Sequence, residues 1–209
     1  FYAEQELKRA IGTDKEKIFS SFEATNKLLE DKTIQSHSHC KLFKTPLWEG
    51  VRFPVGVASM EDQATIFKTF CKAKNGVFIN NYCGYHYWQE GTSACRTPLT
   101  NKKIVDSLIG YLEPCLFDFL NYNSEEKNIL LSSSCNALAN VYLMVSPFFN
   151  KKTATKDQIT KFASVKKYIS KNKLIKKFKP NNKKERIKKR VYLFLRPFYN
   201  ALFRLYKEL

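Results

Sequence analysis

Glycine and proline are scarce in this chain, with seven of each among 209 residues. Such low numbers disfavour a turn-rich all-β domain, because tight turns depend on these two residues. Hydrophobic residues make up 44% of the chain and aromatic residues 14%, too much apolar content for a wholly disordered protein. Together these features predict a folded, all-α protein.

Histidine is also rare, and the common catalytic motifs are missing. There is no phosphate-binding loop, no G-x-G-x-x-G, no G-x-S-x-G and no H-E-x-x-H. His37 and His39 stand beside Cys40 in a polar loop, but the spacing supplies no fourth zinc ligand. We therefore predict a non-enzyme without metal or cofactor.

Long apolar runs are missing as well. No uninterrupted run reaches the roughly eighteen residues that a membrane-spanning helix needs, so the sequence predicts no such helix.

The six cysteines form an even set without any C-x-x-C pair, which gives a structural zinc site no support. An even number in one region predicts up to three disulfides and a secreted protein, and the alternative is a set of buried, reduced thiols. The disulfide candidates are Cys40, Cys71, Cys83, Cys95, Cys115 and Cys135.

Charge is distributed unevenly along the chain. Residues 1–140 carry sixteen basic and sixteen acidic side chains, whereas residues 141–209 carry twenty basic and three acidic ones. The formal net charge of +17 therefore lies in the last third. We predict a cysteine-containing helical core over 1–149 and a basic amphipathic subdomain over 150–209.

Apolar residues three and four positions apart predict most of the helices. We expect a helix over 2–31, helices that open at Ser59, Thr100 and Ser124, one from Thr155 to Phe178, and a last one over 183–209. The segment over 77–99 is predicted to be an irregular or hairpin insert with aromatic residues in a contact loop or small core. Those aromatic residues are Tyr82, Tyr85, Tyr87 and Trp88.

The basic tail is predicted to be a helical hairpin with a turn at Pro180. One apolar stripe should pack onto the helix over 157–178: Ile187, Val191, Phe194, Leu195, Phe198, Leu202, Leu205 and Leu209. A second set should face the cysteine-bearing part or another copy of the chain: Tyr192, Tyr199, Phe203 and Tyr206. The solvated outer face would then carry Lys166, Lys167, Lys173, Lys176, Lys177, Lys188, Lys189 and Arg190.

Three kinds of partner suit such a tail. An anionic lipid or host-cell surface attracts lysine and accepts apolar side chains at its interface. A homodimer or a secreted protein partner would instead cover the apolar stripes. Nucleic acid ranks last, because no groove-reading motif is present. The sequence predicts binding to a membrane or host-cell surface.

Cys40, the FKTFCKAK run around Cys71 and the stretch from Cys83 to Cys115 carry a family resemblance. With its bias towards Lys, Asn and Phe, the chain over 35–209 resembles the rhoptry-associated protein family of piroplasm apicomplexan parasites. The resemblance implies a non-enzymatic protein secreted from the rhoptry during red-cell invasion. Attachment to a host cell or its membrane is the role it implies.

Overall fold

The structure, a computed structural model, describes residues 17–31, 34–57, 59–74, 77–79, 97–195 and 198–200. This part of the chain is mostly helical, which confirms the all-α prediction. Its elements are β1 (Lys17–Phe19), α1 (Ser21–Leu29), α2 (Glu61–Cys71), β2 (Val77–Ile79), α3 (Asn101–Leu116), α4 (Ser124–Val145), α5 (Lys156–Lys171), α6 (Leu174–Lys177) and α7 (Lys183–Phe194).

The first described element differs from the sequence prediction. Residues 17–19 form β1, which pairs antiparallel with β2, instead of continuing a helix over 2–31. The first helix begins later because Ser20 and Glu23 form a capping box, in which each side chain bonds the other residue's backbone N–H. β2 is also the described beginning of the predicted insert, whose remaining residues before Thr97 lie outside the described part.

The larger hydrophobic cluster joins α3 and α4 to the basic tail. Asn101, at the start of α3, bonds the backbone of Asn150, just past the end of α4, so these two helices run antiparallel. Val165 and Ile169 of α5 are buried in the same cluster, as are Leu174, Ile175, Phe178 and Tyr199. The tail therefore packs on α3 and α4; the division of the chain at residue 150 stays a prediction.

A second cluster joins α1, α2 and the segment after α3. The Tyr122 hydroxyl lies 2.7 Å from Ser21 Oγ and 3.1 Å from Thr25 Oγ1, and Ser21 Oγ donates to the Phe70 carbonyl at 2.8 Å. Burial raises the pKa of Tyr122 to about 12. This neutral hydrogen-bond network joins three segments of the fold.

Helix α4, with its short extension, covers Ser124–Phe148 and is long and apolar enough to cross a membrane by length and composition. It contains no uninterrupted apolar run of that length, because uncharged Ser and Asn residues lie between its apolar ones. Here α4 contacts α1, α3, α6 and α7, so within the described residues it is the central helix of the fold.

The predicted disulfides do not appear among the described cysteines. Cys40, Cys71, Cys115 and Cys135 are free thiols, whereas Cys83 and Cys95 lie outside the described residues. Cys71 sits in the smaller cluster, where burial raises the pKa of its thiol to about 11. It serves there as a small core residue, as the reduced-thiol alternative expects.

Gly110 of α3 is in close contact with Met60, the residue that precedes α2. A Cβ on Gly110 would lie 2.6 Å from the carbonyl oxygen of Met60 and 2.9 Å from its Cβ. Met60 caps α2 in the left-handed conformation, and its carbonyl accepts the helix-starting bond from Ala64. The oxygen is therefore held in place and cannot move away at low cost.

We expect Gly110→Ala to destabilise the protein by up to about 2 kcal/mol. The gain of about 1 kcal/mol in helix propensity is outweighed by an overpacking cost of about 1–3 kcal/mol. Urea denaturation measures the net change, and Ala163→Gly at an exposed α5 position reports the propensity contribution alone. A Gly110→Ala protein as stable as propensity alone predicts would contradict the close contact.

Candidate functional site

The basic tail begins with a well-capped helix. Thr155 and Gln158 form a capping box at the predicted beginning of this helix. Asp157 lies in the first turn, where a negative charge suits the helix dipole. Asp157 also pairs with Lys161 at 2.8 Å. Val165 and Ile169 are buried, which leaves Lys166 and Lys167 on the exposed side of α5.

Helix α6 is one turn long and follows Lys173, which adopts a left-handed conformation. Its apolar residues Leu174 and Ile175 are buried, whereas Lys176 and Lys177 are exposed. The short helix therefore places two more lysines at the surface and anchors them through its buried side.

The turn after α6 is attached to the central helix. The side-chain amide of Asn136 on α4 accepts a bond from Lys179 N at 2.7 Å and donates to Lys179 O at 3.3 Å. Asn182 then caps α7, and Glu185 accepts from the backbone N–H of Asn181 at 2.7 Å. This confirms the predicted turn around Pro180.

Lys189 occupies a different position from the one predicted. Its Nζ donates to the carbonyl oxygens of Lys176 at 2.8 Å and Phe178 at 2.6 Å. A cation there stabilises the C-terminal end of α6, where carbonyls lack helical partners. Lys189 and its neighbour Lys188 are half-buried. We therefore define the basic face by the six predicted residues that are exposed: Lys166, Lys167, Lys173, Lys176, Lys177 and Arg190.

Tyr192 of α7 and Tyr199 beyond its end pack inward, in agreement with one of the two predicted alternatives for the tyrosine set. Tyr199 is 1% exposed and its hydroxyl donates to the carbonyl oxygen of Leu143 at 2.6 Å. Tyr192 stacks edge-on against both Tyr142 and Tyr199. The tyrosine set therefore packs on the cysteine-bearing part.

Most described residues of the predicted packing stripe are at the surface instead. Phe194 is 80% exposed, Phe198 63% and Ile187 51%, and Leu195 is exposed as well. We call these four residues the exposed apolar set. Ile187, Arg190 and Phe194 follow one another at three- and four-residue steps, so one face of α7 carries both a cation and apolar side chains.

The charge on these helices is almost unopposed. From residue 156 to 195 there are fifteen basic and two acidic side chains. Asp157 pairs with Lys161, and Glu185 bonds the α7 cap. None of the ion pairs between described residues involves the basic face. The local potential is therefore strongly positive and suits an anionic partner.

Two other groups of candidate residues contribute less. His37 and His39 stack with ring centroids 4.8 Å apart, and His39 Nδ1 lies 3.2 Å from Cys40 Sγ. Partial burial lowers the pKa of His39. No group of three or more His, Cys, Asp or Glu side chains in the described ranges is placed to hold a metal. The predicted contact loop of Tyr82, Tyr85, Tyr87 and Trp88 lies outside the described residues.

Cys115 and Cys135 are the thiols that the fold brings together. Cys115 is near the end of α3 and Cys135 is in α4, and the two side chains are near enough to interact. Their shared place among the disulfide candidates was the signal that the sequence offered for this contact. By contrast, no pattern in the sequence distinguishes the exposed apolar set from residues of the hydrophobic core.

No family model, curated protein or solved structure matches this chain.

Proposed function

We propose that this protein binds an anionic membrane surface through its basic face. The observation that carries the proposal is the group of exposed lysines on α5 and α6, none in an ion pair with a described residue. Each lysine near an anionic leaflet contributes about 1 kcal/mol, so five of them suffice for substantial binding at low salt.

The exposed apolar set supports a lipid surface over a purely polar anionic partner. Phe194 and Ile187 flank Arg190 on one face of α7, and such side chains enter the region between headgroups and acyl chains. Phosphate contacts with nucleic acid would leave these apolar residues in water, so that partner ranks last. Lysine also outnumbers arginine, as suits a diffuse charged surface.

Its biological setting is proposed from the sequence. We infer a non-enzymatic, disulfide-stabilised protein that is secreted and attaches to a host cell, as the resemblance to rhoptry-associated proteins implies. Intact mass with and without reductant tests the disulfides. Six free thiols in freshly isolated natural protein would overturn secretion through an oxidising compartment.

The same exposed apolar set favours a second candidate, a homodimer or assembly interface. Phe194 and Phe198 are large side chains at the surface, and a second copy of the chain could bury them as well as a membrane would. Here the lysines would serve only to keep the outer surface solvated.

Vesicle co-sedimentation distinguishes the two candidates. We expect the full chain to sediment with phosphatidylserine-containing vesicles at low salt and to dissociate from them as the salt concentration is raised. It should not sediment with vesicles of phosphatidylcholine alone. Failure to bind the anionic vesicles at low salt would refute the membrane proposal. A concentration-dependent dimer in analytical ultracentrifugation, without vesicle binding, would establish the interface instead.

A further inference from the structure

A group of polar side chains lies in the larger hydrophobic cluster, where α3 packs against α4. Cys115 is only 6% exposed, and its Sγ donates to the Tyr111 carbonyl at 3.5 Å. Cys135 is half-buried on the facing helix and packs against the same cluster. The two thiols interact across the contact between α3 and α4, the most extensive helix–helix contact among the described elements.

Two further groups reach this pair from the basic tail. The Tyr168 hydroxyl of α5 donates to the Cys115 carbonyl at 3.1 Å and lies within hydrogen-bond reach of the Cys135 sulfur. Lys177 of α6 is near enough for its charge to act on Cys135. A nearby ammonium group favours the thiolate form of a half-buried cysteine.

The two thiols are therefore unequal. The contacts with Cys115 and Tyr168, together with the charge of Lys177, lower the pKa of Cys135 despite its partial burial. The hydrogen bond to Cys135 and burial raise the pKa of Cys115. Cys135 is also the more accessible of the two, because it is half-buried whereas Cys115 is buried. We therefore expect a small disulfide to react first with Cys135 and Cys115 to react second.

We propose that Cys115 and Cys135 form an oxidisable dithiol site that a small disulfide, such as oxidised glutathione, converts to a bond between α3 and α4. The Cys115–Cys135 bond would be one disulfide of the disulfide-stabilised protein proposed above. It does not depend on membrane binding, so the vesicle experiment cannot decide it.

The exchange takes place in two steps. The Cys135 thiolate attacks one sulfur of the small disulfide, whose S–S bond breaks and releases one thiolate. Cys115 then loses its proton and attacks Cys135 Sγ, which releases the second small thiol. Two protein thiols are oxidised to one disulfide while one small disulfide is reduced to two thiols. The bond closes a loop of about twenty residues and should raise Tm by about 5–10 °C.

The test uses the full chain, reduced and then titrated with oxidised glutathione. We expect peptide mass mapping to find a Cys115–Cys135 link, together with the rise in Tm. Cys115→Ser should retain glutathione on Cys135, Cys135→Ser should abolish the link and the Tm rise, and Cys40→Ser should change neither. Alkylation by iodoacetamide gives a second measurement, in which Cys135 should react at lower pH than Cys40.

Two results would overturn the proposal. One is a link from Cys115 or Cys135 to Cys83 or Cys95 in place of the link between them. The other is glutathione found mainly on Cys40 while Cys115 and Cys135 stay reduced and Cys135 alkylates no faster than Cys40. Loss of vesicle binding with an intact Cys115–Cys135 link would refute only the membrane proposal.

Discussion

Replacing Lys166, Lys167 and Lys176 together by Glu is expected to weaken binding to phosphatidylserine vesicles at least a hundredfold at low salt. Three lost attractions of about 1 kcal/mol each already account for roughly that factor, and three new repulsions add to it. All three side chains are exposed, and no ion pair between described residues depends on them. Circular dichroism should therefore show an unchanged fold while vesicle co-sedimentation shows the loss.

The matched control reverses as many charges away from the basic face. Lys44, Lys74 and Lys151 are also exposed, and their replacement by Glu changes the net charge equally. We expect only a modest, salt-screened loss in that variant. Equal loss in the two variants would show that total charge, and not the basic face, drives binding. Arginine at the three α5 and α6 positions should retain binding, because a diffuse surface does not need the geometry of one cation.

Replacing Tyr199 by Ala is expected to destabilise the protein by about 3–5 kcal/mol, as is typical for a large buried ring. The ring is 1% exposed and stacks against Tyr192. Its hydroxyl has a further role, because it donates to the Leu143 carbonyl at 2.6 Å. In a continuing helix that carbonyl would accept the N–H of residue 147, which is Pro147 and has none. Tyr199 therefore caps the C-terminal end of α4.

Two further variants divide this effect into its parts. Tyr199→Phe keeps the ring but leaves the Leu143 carbonyl unpaired, so we expect a loss of about 1–3 kcal/mol. Phe198→Ala removes the adjacent ring, which is 63% exposed, and should change stability by less than about 0.5 kcal/mol. Chemical denaturation measures all three. A Phe198→Ala loss equal to that of Tyr199→Ala would contradict the burial of Tyr199 and the exposure of Phe198.

Helix boundaries were the features most accessible to sequence reasoning, because caps are local. The side chains of Thr100 and Thr155 cap their helices by accepting a hydrogen bond from the backbone N–H three residues later. Asn182 does the same for α7. Such bonds depend on residue type and short spacing, which a sequence displays directly. The first helix was predicted wrongly because the pairing of β1 with β2 joins residues about sixty positions apart. No local pattern reports that pairing.

The basic tail shows the same division between local and distant causes. Its lysine excess, its capped helices and its turn at Pro180 follow from the sequence alone, because composition and local hydrogen bonds suffice for them. Tertiary structure decided that the predicted packing stripe stays largely exposed while Tyr199 is buried, because both sets are apolar and Tyr199 bonds the Leu143 carbonyl. Tertiary structure also determined that Lys189 binds the end of α6. The sequence does not distinguish this lysine from its neighbours, because the carbonyls that it bonds lie in another segment of the chain.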